Sequence, residues 1–186
     1  MMAQKLVVIG AGMASGRVLE KLFEAAPGAY DVTLFNGEAR GNYNRIMLSP
    51  VLSGDKSYED IVTHDAAWYA QNNVTCRFGE HVTRIDRDRK IVISRSGETP
   101  YDTLLIATGS APFIIPVSGK DLPEVVTYRD LEDTNAMIAA AKPGAKAVVI
   151  GGGLPGILRM AKGVRISCSA IRHAVYTNVW LYSKVA

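Results

Sequence analysis

Two glycine-rich turns contain the residues of this sequence whose types and spacing best suit chemistry on a ligand. Gly10-Ala11-Gly12 directly follows an apolar run and precedes an amphipathic segment that begins at Met13. Glycines let a ligand approach the backbone closely, and a following helix turns free N–H groups and the positive end of its dipole toward an anion. The pattern predicts a site for the pyrophosphate of a dinucleotide. The alternative is a strand-to-helix turn that binds nothing.

The residues after the first turn complete this pattern in part. The third position of the Gly-x-Gly-x-x-Gly motif falls on Ser15, which is small enough for close packing of a helix on a strand. Glu38 follows Gly16 by about 20 residues, the distance at which an acidic residue binds the adenosine ribose. Glu38 is otherwise a solvated surface residue. Because Arg40 would suit a phosphate instead, the spacing leaves NAD, NADP and FAD open.

The second turn repeats the first. Gly151, Gly153 and Gly156 follow the apolar run at residues 147–150 and form the full glycine motif. Two such turns in one chain predict two dinucleotide-binding units.

Hydrophobic periodicity predicts the elements that must position these turns. Strands at residues 6–9 and 32–35 flank a helix at residues 13–26, which makes a βαβ unit. Continuous apolar runs of this kind suit parallel strands covered by helices on both faces. The other predicted elements are an irregular loop at 36–54, a helix at 65–72, three strands of a small antiparallel sheet at 74–78, 82–85 and 90–93, a buried strand at 104–107, a helix at 132–142 and a strand at 147–150.

Composition narrows the class of protein. The 186 residues are 48% hydrophobic and 21% charged, which predicts a globular fold rather than a disordered chain. A net charge of +3 from scattered basic residues argues against a nucleic-acid partner. Cys76 and Cys168 form no disulfide framework, and no apolar run is long enough for a membrane span. We therefore expect a cytoplasmic protein, since the glycines of the N-terminal apolar stretch argue against a signal peptide.

Longer motifs resemble a known superfamily. Residues 101–110, Tyr-Asp-Thr-Leu-Leu-Ile-Ala-Thr-Gly-Ser, are similar to the strand and Ala-Thr-Gly turn of pyridine nucleotide–disulfide oxidoreductases, and residues 147–156 to the start of their NAD(P)H domain. Residues 40–50 resemble the Tyr-Asp-Arg-Pro-Pro-Leu-Ser-Lys loop of ferredoxin- and rubredoxin-reductase-like flavoproteins. Residues 12–17, 42–45 and 48–54 resemble more narrowly the flavin domain of assimilatory NAD(P)H nitrite reductase large subunits.

The resemblance implies a fold and a function. The fold is α/β, with a Rossmann-like FAD-binding domain at residues 1–145 that combines a parallel sheet with a small antiparallel sheet. An incomplete NAD(P)H-binding unit follows at residues 146–186. The implied activity passes electrons from NAD(P)H to FAD and on to an acceptor, with a redox partner or the rest of the enzyme. The alternatives are a ferredoxin- or rubredoxin-reductase-like flavoprotein and a non-catalytic dinucleotide-binding fragment.

The resemblance also implies roles for individual residues. Glu38 would bind the ribose, the Val82 backbone would meet the adenine, and Arg45 would lie near the flavin, unless Arg45 forms only a surface ion pair. Pro50 stands where relatives have a lysine that would contact the flavin. The residues expected to bind FAD are Gly10, Ala11, Gly12, Met13, Ser15, Glu38, Arg45, Val82, Ala107, Thr108 and Gly109; those expected to bind NAD(P)H are Gly151, Gly153 and Gly156.

The resemblance ends near Leu158. A complete NAD(P)H domain and the Gly-Asp segment with which relatives return to the flavin are expected but not found in the sequence. The ending is typical of a truncation or a frameshift, with a natural short product as the alternative. We therefore expect a chain that holds FAD weakly and lacks nicotinamide-dependent turnover.

Overall fold

The computed structural model describes residues 3–142 and three further strands at residues 146–150, 165–169 and 180–183. The chain divides into two compact units. The first unit contains Met1–Asn44 and Val62–Gly109, and the second contains Arg45–Ile61 and Ser110–Ala186. The strands are β1 (Gln4–Ile9), β2 (Tyr30–Asn36), β3 (Val74–Phe78), β4 (Val82–Asp86), β5 (Ile91–Ser94), β6 (Gly97–Pro100), β7 (Thr103–Ile106), β8 (Val125–Val126), β9 (Lys146–Ile150), β10 (Arg165–Ser169) and β11 (Trp180–Ser183), and the helices are α1 (Met13–Ala25), α2 (Leu48–Ser53), α3 (Ala66–Gln71) and α4 (Leu131–Ala140).

A parallel sheet with the strand order β3-β2-β1-β7 forms the centre of the first unit. Strands β1 and β2 pair in parallel with Val8 opposite Leu34, and α1 makes the connection between them. Strand β7 pairs in parallel with the other edge of β1. The predicted βαβ unit and the α/β fold class are confirmed. Because the carboxyl ends of parallel strands meet at one edge, the turns after β1, β2 and β7 lie side by side.

The two faces of this sheet are covered by different elements. On one face, Leu6 and Val8 pack in a buried cluster with Leu19 of α1 and Tyr69 of α3. On the other face, Val7 and Ile9 pack with Val92 of β5. The prediction of helices on both faces was wrong for this second face. Val92 of the antiparallel strand β5 buries the same apolar run, because successive side chains of a strand point to opposite faces and Val92 is on the face toward the parallel sheet.

Strand β3 differs from its prediction. It pairs in parallel with β2, with Val74 opposite Val32, and the small antiparallel sheet consists of β4, β5 and β6. The sequence alternates in β3 as it does in β4, so periodicity does not distinguish their sheets. Burial of Val74 in the cluster beneath α1 and α3 places β3 in the parallel sheet.

The second unit contains the other two helices and a mixed sheet. Part of the loop predicted at residues 36–54 is helical, because Leu48, Val51 and Leu52 recur at helical spacing and are buried. Gly54 ends α2 with a left-handed φ of 78°. The sheet has the order β10-β9-β11-β8, with β9 and β10 parallel. Strand β9 confirms the predicted strand at 147–150, whereas β10 and β11 were not predicted.

Candidate dinucleotide-binding site

The first glycine turn, residues 10–12, is fixed by contacts between backbones. Gly10 has a φ of 103°, a conformation that residues with a Cβ rarely adopt. A Cβ built on Gly10 would lie 2.8 Å from the carbonyl carbon of Ala107 and closer still to its oxygen. The Gly10 N–H donates to the Phe35 carbonyl at 2.7 Å, and the Ala107 N–H donates to the Ile9 carbonyl at 2.8 Å. The turn is therefore held between β2 and the segment after β7.

Gly12 has a different role from Gly10. It is the N-cap of α1, with φ −88° and ψ −177°, and no described side chain forms a capping hydrogen bond there. Apart from its chain neighbours, no described atom lies within 4 Å of the position that a Cβ on Gly12 would take. The first turn of α1, beginning at Met13, holds no acidic side chain. Sterics thus do not demand glycine here, and the start of the helix is open to an anion.

Ser15 and Gly16 explain why the third position of the motif is not glycine. The Ser15 side chain is 1% exposed, and its hydroxyl donates to the Gly12 carbonyl at 2.9 Å. A Cβ on Gly16 would lie 3.0 Å from Cγ of Asn42 and closer still to its amide nitrogen. The close packing of α1 against the Asn42 side chain therefore depends on the absence of a side chain at Gly16. Sequence reasoning noted Gly16 but gave it no role.

The segment after β7 closes one side of the glycine turn. Ala107 touches Gly10 as described above, Thr108 is exposed, and Gly109 has a left-handed φ of 73°. The structure thus brings Ala107 next to the first glycine turn.

Asn36, which sequence reasoning missed, links the glycine turn to the next loop. Its side chain is buried at the end of β2. Its Oδ1 accepts from the Ala11 N–H at 3.3 Å, and its Nδ2 donates to the Arg40 carbonyl at 2.7 Å. The position of Asn36, a polar residue directly after an apolar run, was the feature of the sequence that could have indicated this role. Because Ala11 donates to Asn36, the amides of the α1 start are better placed than Ala11 to meet a phosphate.

We use the name β2 corner for residues 36–38 and 79–82 together with Tyr43. Backbone hydrogen bonds join the two segments: the Gly79 N–H donates to the Glu38 carbonyl at 2.8 Å, and the Glu80 N–H donates to the Asn36 carbonyl at 2.9 Å. The hydroxyl of Tyr43, whose side chain is buried, donates to Oε2 of Glu38 at 2.8 Å. The carboxylate of Glu38 is half-buried and lies at the same sheet edge as the glycine turn.

His81 accounts for the glycine found just before Glu38. A Cβ on Gly37 would lie 2.8 Å from Nδ1 of His81, so the imidazole rests on bare backbone. His81 is exposed, and Val82 beside it begins β4 and packs against the second face of the parallel sheet. The corner thus brings Glu38 and Val82, both predicted from sequence, together with His81, which was not predicted.

Glu80 ties the β2 corner to the small antiparallel sheet. Its buried carboxylate accepts from the Ser94 hydroxyl at 2.6 Å and from the Ser96 N–H at 3.2 Å. The hydrogen bond from Ser94, reinforced by Ser96, holds the pKa of Glu80 below its ordinary value. An ionised carboxylate that is buried and hydrogen-bonded in this way stabilises the corner.

A polar chain supports α1 on the side that faces Asn42. The Asn42 Nδ2 donates to Nδ1 of His64 at 3.1 Å, and the Nε2–H of His64 donates to Oε1 of Glu20 at 2.9 Å. Asn42 and His64 are both buried, and Oδ1 of Asn42 has no hydrogen-bond partner among the described residues. This chain links α1 to the loop that carries Tyr43.

Arg45 belongs to the second unit. It begins a short 3₁₀ turn, and its guanidinium donates to the Arg129 carbonyl at 3.1 Å. In the same unit the hydroxyls of Ser49 and Tyr128 are hydrogen-bonded at 3.0 Å. The position of Arg45 near the flavin stays a prediction. Gly151, Gly153 and Gly156 lie outside the described residues.

In the part of the chain that the structure describes, three other properties bear on function: metal binding, thiol reactivity and membrane crossing. No cluster of three His, Cys, Asp or Glu side chains there is arranged to hold a metal ion. Burial raises the pKa of the Cys76 thiol to about 11, so that it stays protonated at neutral pH and is a poor nucleophile. No described helix combines the length and the hydropathy that a membrane crossing requires.

Comparison with known proteins agrees with this geometry. The family described as pyridine nucleotide-disulphide oxidoreductase matches residues 4–161. Nitrite reductase [NAD(P)H] of Bacillus subtilis (strain 168) is 44% identical over 162 residues, which are 87% of this chain and 20% of the relative. The assimilatory nitrate reductase electron transfer subunit of the same organism is 39% identical over 178 residues, 94% of this chain and 23% of the relative.

A solved structure has a similar fold. NADH:rubredoxin oxidoreductase from Clostridium acetobutylicum superposes with a TM-score of 0.75 at 30% identity, over 91% of this chain and 45% of that one. This chain spans about a fifth of the length of the two curated relatives. The resemblance inferred from the motifs is confirmed: the chain belongs to the pyridine nucleotide-disulphide oxidoreductase family.

Proposed function

We propose that this chain supplies the FAD-binding part of an oxidoreductase that passes electrons from NAD(P)H through FAD to an acceptor. The observation that carries the proposal is the first glycine turn, where Gly10 lies against Ala107 and leaves the start of α1 open. A dinucleotide needs such an approach, because its pyrophosphate accepts hydrogen bonds from backbone N–H groups. The family match supports the flavin and nicotinamide classes of cofactor.

The residues present fit FAD. The uncapped N-terminus of α1 offers N–H donors and the positive end of the helix dipole, and its first turn holds no carboxylate to repel a phosphate. At the β2 corner, the Glu38 carboxylate would accept hydrogen bonds from the ribose hydroxyls, and the Val82 backbone would meet the adenine. Thr108 and Gly109 would lie along the cofactor beyond Ala107.

FAD, when bound, accepts hydride from reduced nicotinamide and releases electrons to an acceptor. The start of α1, Glu38 and the Val82 backbone would bind and orient the cofactor. Because Cys76 is protonated and half-buried, its thiol is a poor candidate for a reactive group in this chemistry. We propose that the second glycine turn, Gly151, Gly153 and Gly156, begins the NAD(P)H-binding unit, with the boundary near residue 145.

The relatives support two candidate acceptors. The 44% identity with a nitrite reductase favours nitrite reduction as the reaction that this flavin domain serves. A ferredoxin- or rubredoxin-reductase-like role is the second candidate, favoured by the similarity to NADH:rubredoxin oxidoreductase. In either case a redox partner or a further part of the enzyme takes the electrons.

Titration of the purified chain with FAD tests the binding step. Saturable quenching of flavin fluorescence, with a shift of the visible band, is expected if the glycine turn and β2 corner bind FAD. Anaerobic addition of NADH or NADPH then tests electron entry, because reduction bleaches the band. A spectrum identical to that of free FAD at every protein concentration would overturn the proposal. Bound flavin that is not bleached would support the binding site and argue against electron entry in this chain.

A further inference from the structure

Tyr43 and Glu38 form a hydrogen-bonded pair within the β2 corner. The Tyr43 side chain is 2% exposed, and its hydroxyl donates to Oε2 of Glu38 at 2.8 Å. A buried phenol needs a hydrogen-bond acceptor. Here the acceptor is the half-buried carboxylate that the proposed function assigns to the ribose.

The loop that carries Tyr43 is itself fixed. Tyr43 forms an isolated β-bridge with Val62. The preceding residue, Asn42, donates its N–H to the Tyr69 hydroxyl at 3.1 Å and accepts at its carbonyl from the Thr63 N–H at 3.1 Å. The phenol is thus held by a rigid segment rather than by a mobile loop.

Glu38 is held at both ends of its side chain. Its backbone carbonyl accepts from the Gly79 N–H at 2.8 Å, which fixes the Cα, and Tyr43 fixes the carboxylate. The three torsions between these two points are therefore restricted before any ligand arrives. Rigid placement of a recognition group removes the cost of ordering it on binding.

We infer that Tyr43 is a positioning residue that makes this site selective for adenosine nucleotides with a free 2′-hydroxyl. A fixed carboxylate accepts a hydrogen bond from a ribose hydroxyl and repels a 2′-phosphate in the same place. A carboxylate that can rotate would turn away from the phosphate and admit it. The inference rests on the proposed function, because it assumes that a dinucleotide binds at this sheet edge.

Calorimetric titration with ADP-ribose and with 2′-phospho-ADP-ribose tests this role. The wild-type chain is expected to prefer ADP-ribose, and Tyr43→Phe is expected to reduce the ratio of the two affinities by roughly three- to tenfold, the net effect of one typical hydrogen bond. Tyr101→Phe, which removes a phenolic hydroxyl elsewhere in the same unit, is the matched control and should leave the ratio unchanged. Circular dichroism verifies that each variant is folded.

A double substitution separates positioning from general stability. In a Glu38→Gln background, Tyr43→Phe should have no further effect on the ratio, because the charge that Tyr43 orients is gone. Equal weakening of both ligands by Tyr43→Phe, or an unchanged ratio in a chain that binds FAD, would overturn the inference and leave the proposed function standing. A wild-type chain that binds neither FAD nor ADP-ribose would overturn both.

Discussion

The first glycine turn and the β2 corner lie at the same edge of one sheet but are built differently. At the first glycine of the turn, the backbone of Gly10 lies against the backbone of Ala107, and this contact involves no side chain. In the corner, backbone hydrogen bonds join the two segments, and side-chain hydrogen bonds add to them, from Tyr43 to Glu38 and from Ser94 to Glu80. The turn therefore tolerates no change of shape, whereas the corner depends on charge and hydrogen bonding.

The same substitution in the two regions should give the largest difference. Gly10→Ala places a Cβ against the Ala107 carbonyl in a left-handed conformation, and we expect a loss of about 2–5 kcal/mol in the free energy of unfolding. Gly37→Ala places its Cβ against the exposed ring of His81, which can rotate away. Its expected loss is below about 1 kcal/mol. Urea unfolding of both variants measures the difference, and equal losses would show that the contrast is wrong.

Gly16→Ala should show whether α1 depends on the buried Asn42. Overpacking against Asn42 costs about 1–3 kcal/mol, and the higher helix propensity of alanine returns up to about 1 kcal/mol. We expect a net loss of about 1–2 kcal/mol in the free energy of unfolding. In an Asn42→Ala background the clash is removed, and Gly16→Ala should become neutral or stabilising. A loss of the same size in both backgrounds would contradict the contact.

Substitutions of Gly12 should affect FAD binding and the stability of the fold in opposite directions. Gly12→Asp provides an N-cap and complements the dipole of α1, so the unfolding free energy should rise by a few tenths of a kcal/mol to about 1 kcal/mol. The same carboxylate would repel the pyrophosphate. We expect FAD affinity to fall at least roughly tenfold below that of Gly12→Asn, a cap of similar size without the charge. Equal affinities of the two variants would argue against a phosphate at the helix start.

The pH dependence of stability should distinguish the corner from the turn. The pKa of Glu80 is lowered in the folded state, chiefly by Ser94. Its contribution to the free energy of unfolding is therefore complete above its ordinary pKa, about 4.3, and is lost as the pH falls through the lower folded value.

Urea unfolding between pH 7 and pH 3 measures this loss. Glu80→Gln should flatten the acidic part of the profile relative to wild type, whereas Glu124→Gln, at an exposed position of the second unit, should not. Superimposable profiles of wild type and Glu80→Gln would show that the corner is not stabilised by an ionised carboxylate.

The sequence predicted the glycine turn well and the corner poorly, for a physical reason. The turn and βαβ unit follow from local patterns, namely the apolar runs and the glycines between them, and β1, α1 and β2 lie where they were expected. One partner of Glu38, the Gly79 N–H, comes from a distant segment. The other, Tyr43, is only five residues away, but it lies in an irregular loop whose sequence does not indicate where its hydroxyl points. The placement of β3 failed for the same reason, since alternation predicts a strand but not the sheet that it joins.

The glycine turn also constrains the order in which the chain folds. Gly10 is locked against Ala107, and nearby the Lys5 N–H donates to Asp102, a contact that spans 97 positions of sequence. Contacts of such long range close slowly, because the loop entropy is lost before the contact forms. On a ribosome that adds about 5–20 residues per second, β7 is synthesised several seconds after β1 and α1. During that interval only α1 and β2 are available to cover the apolar side chains of β1. The edge of β1 that later pairs with β7 is open to other chains.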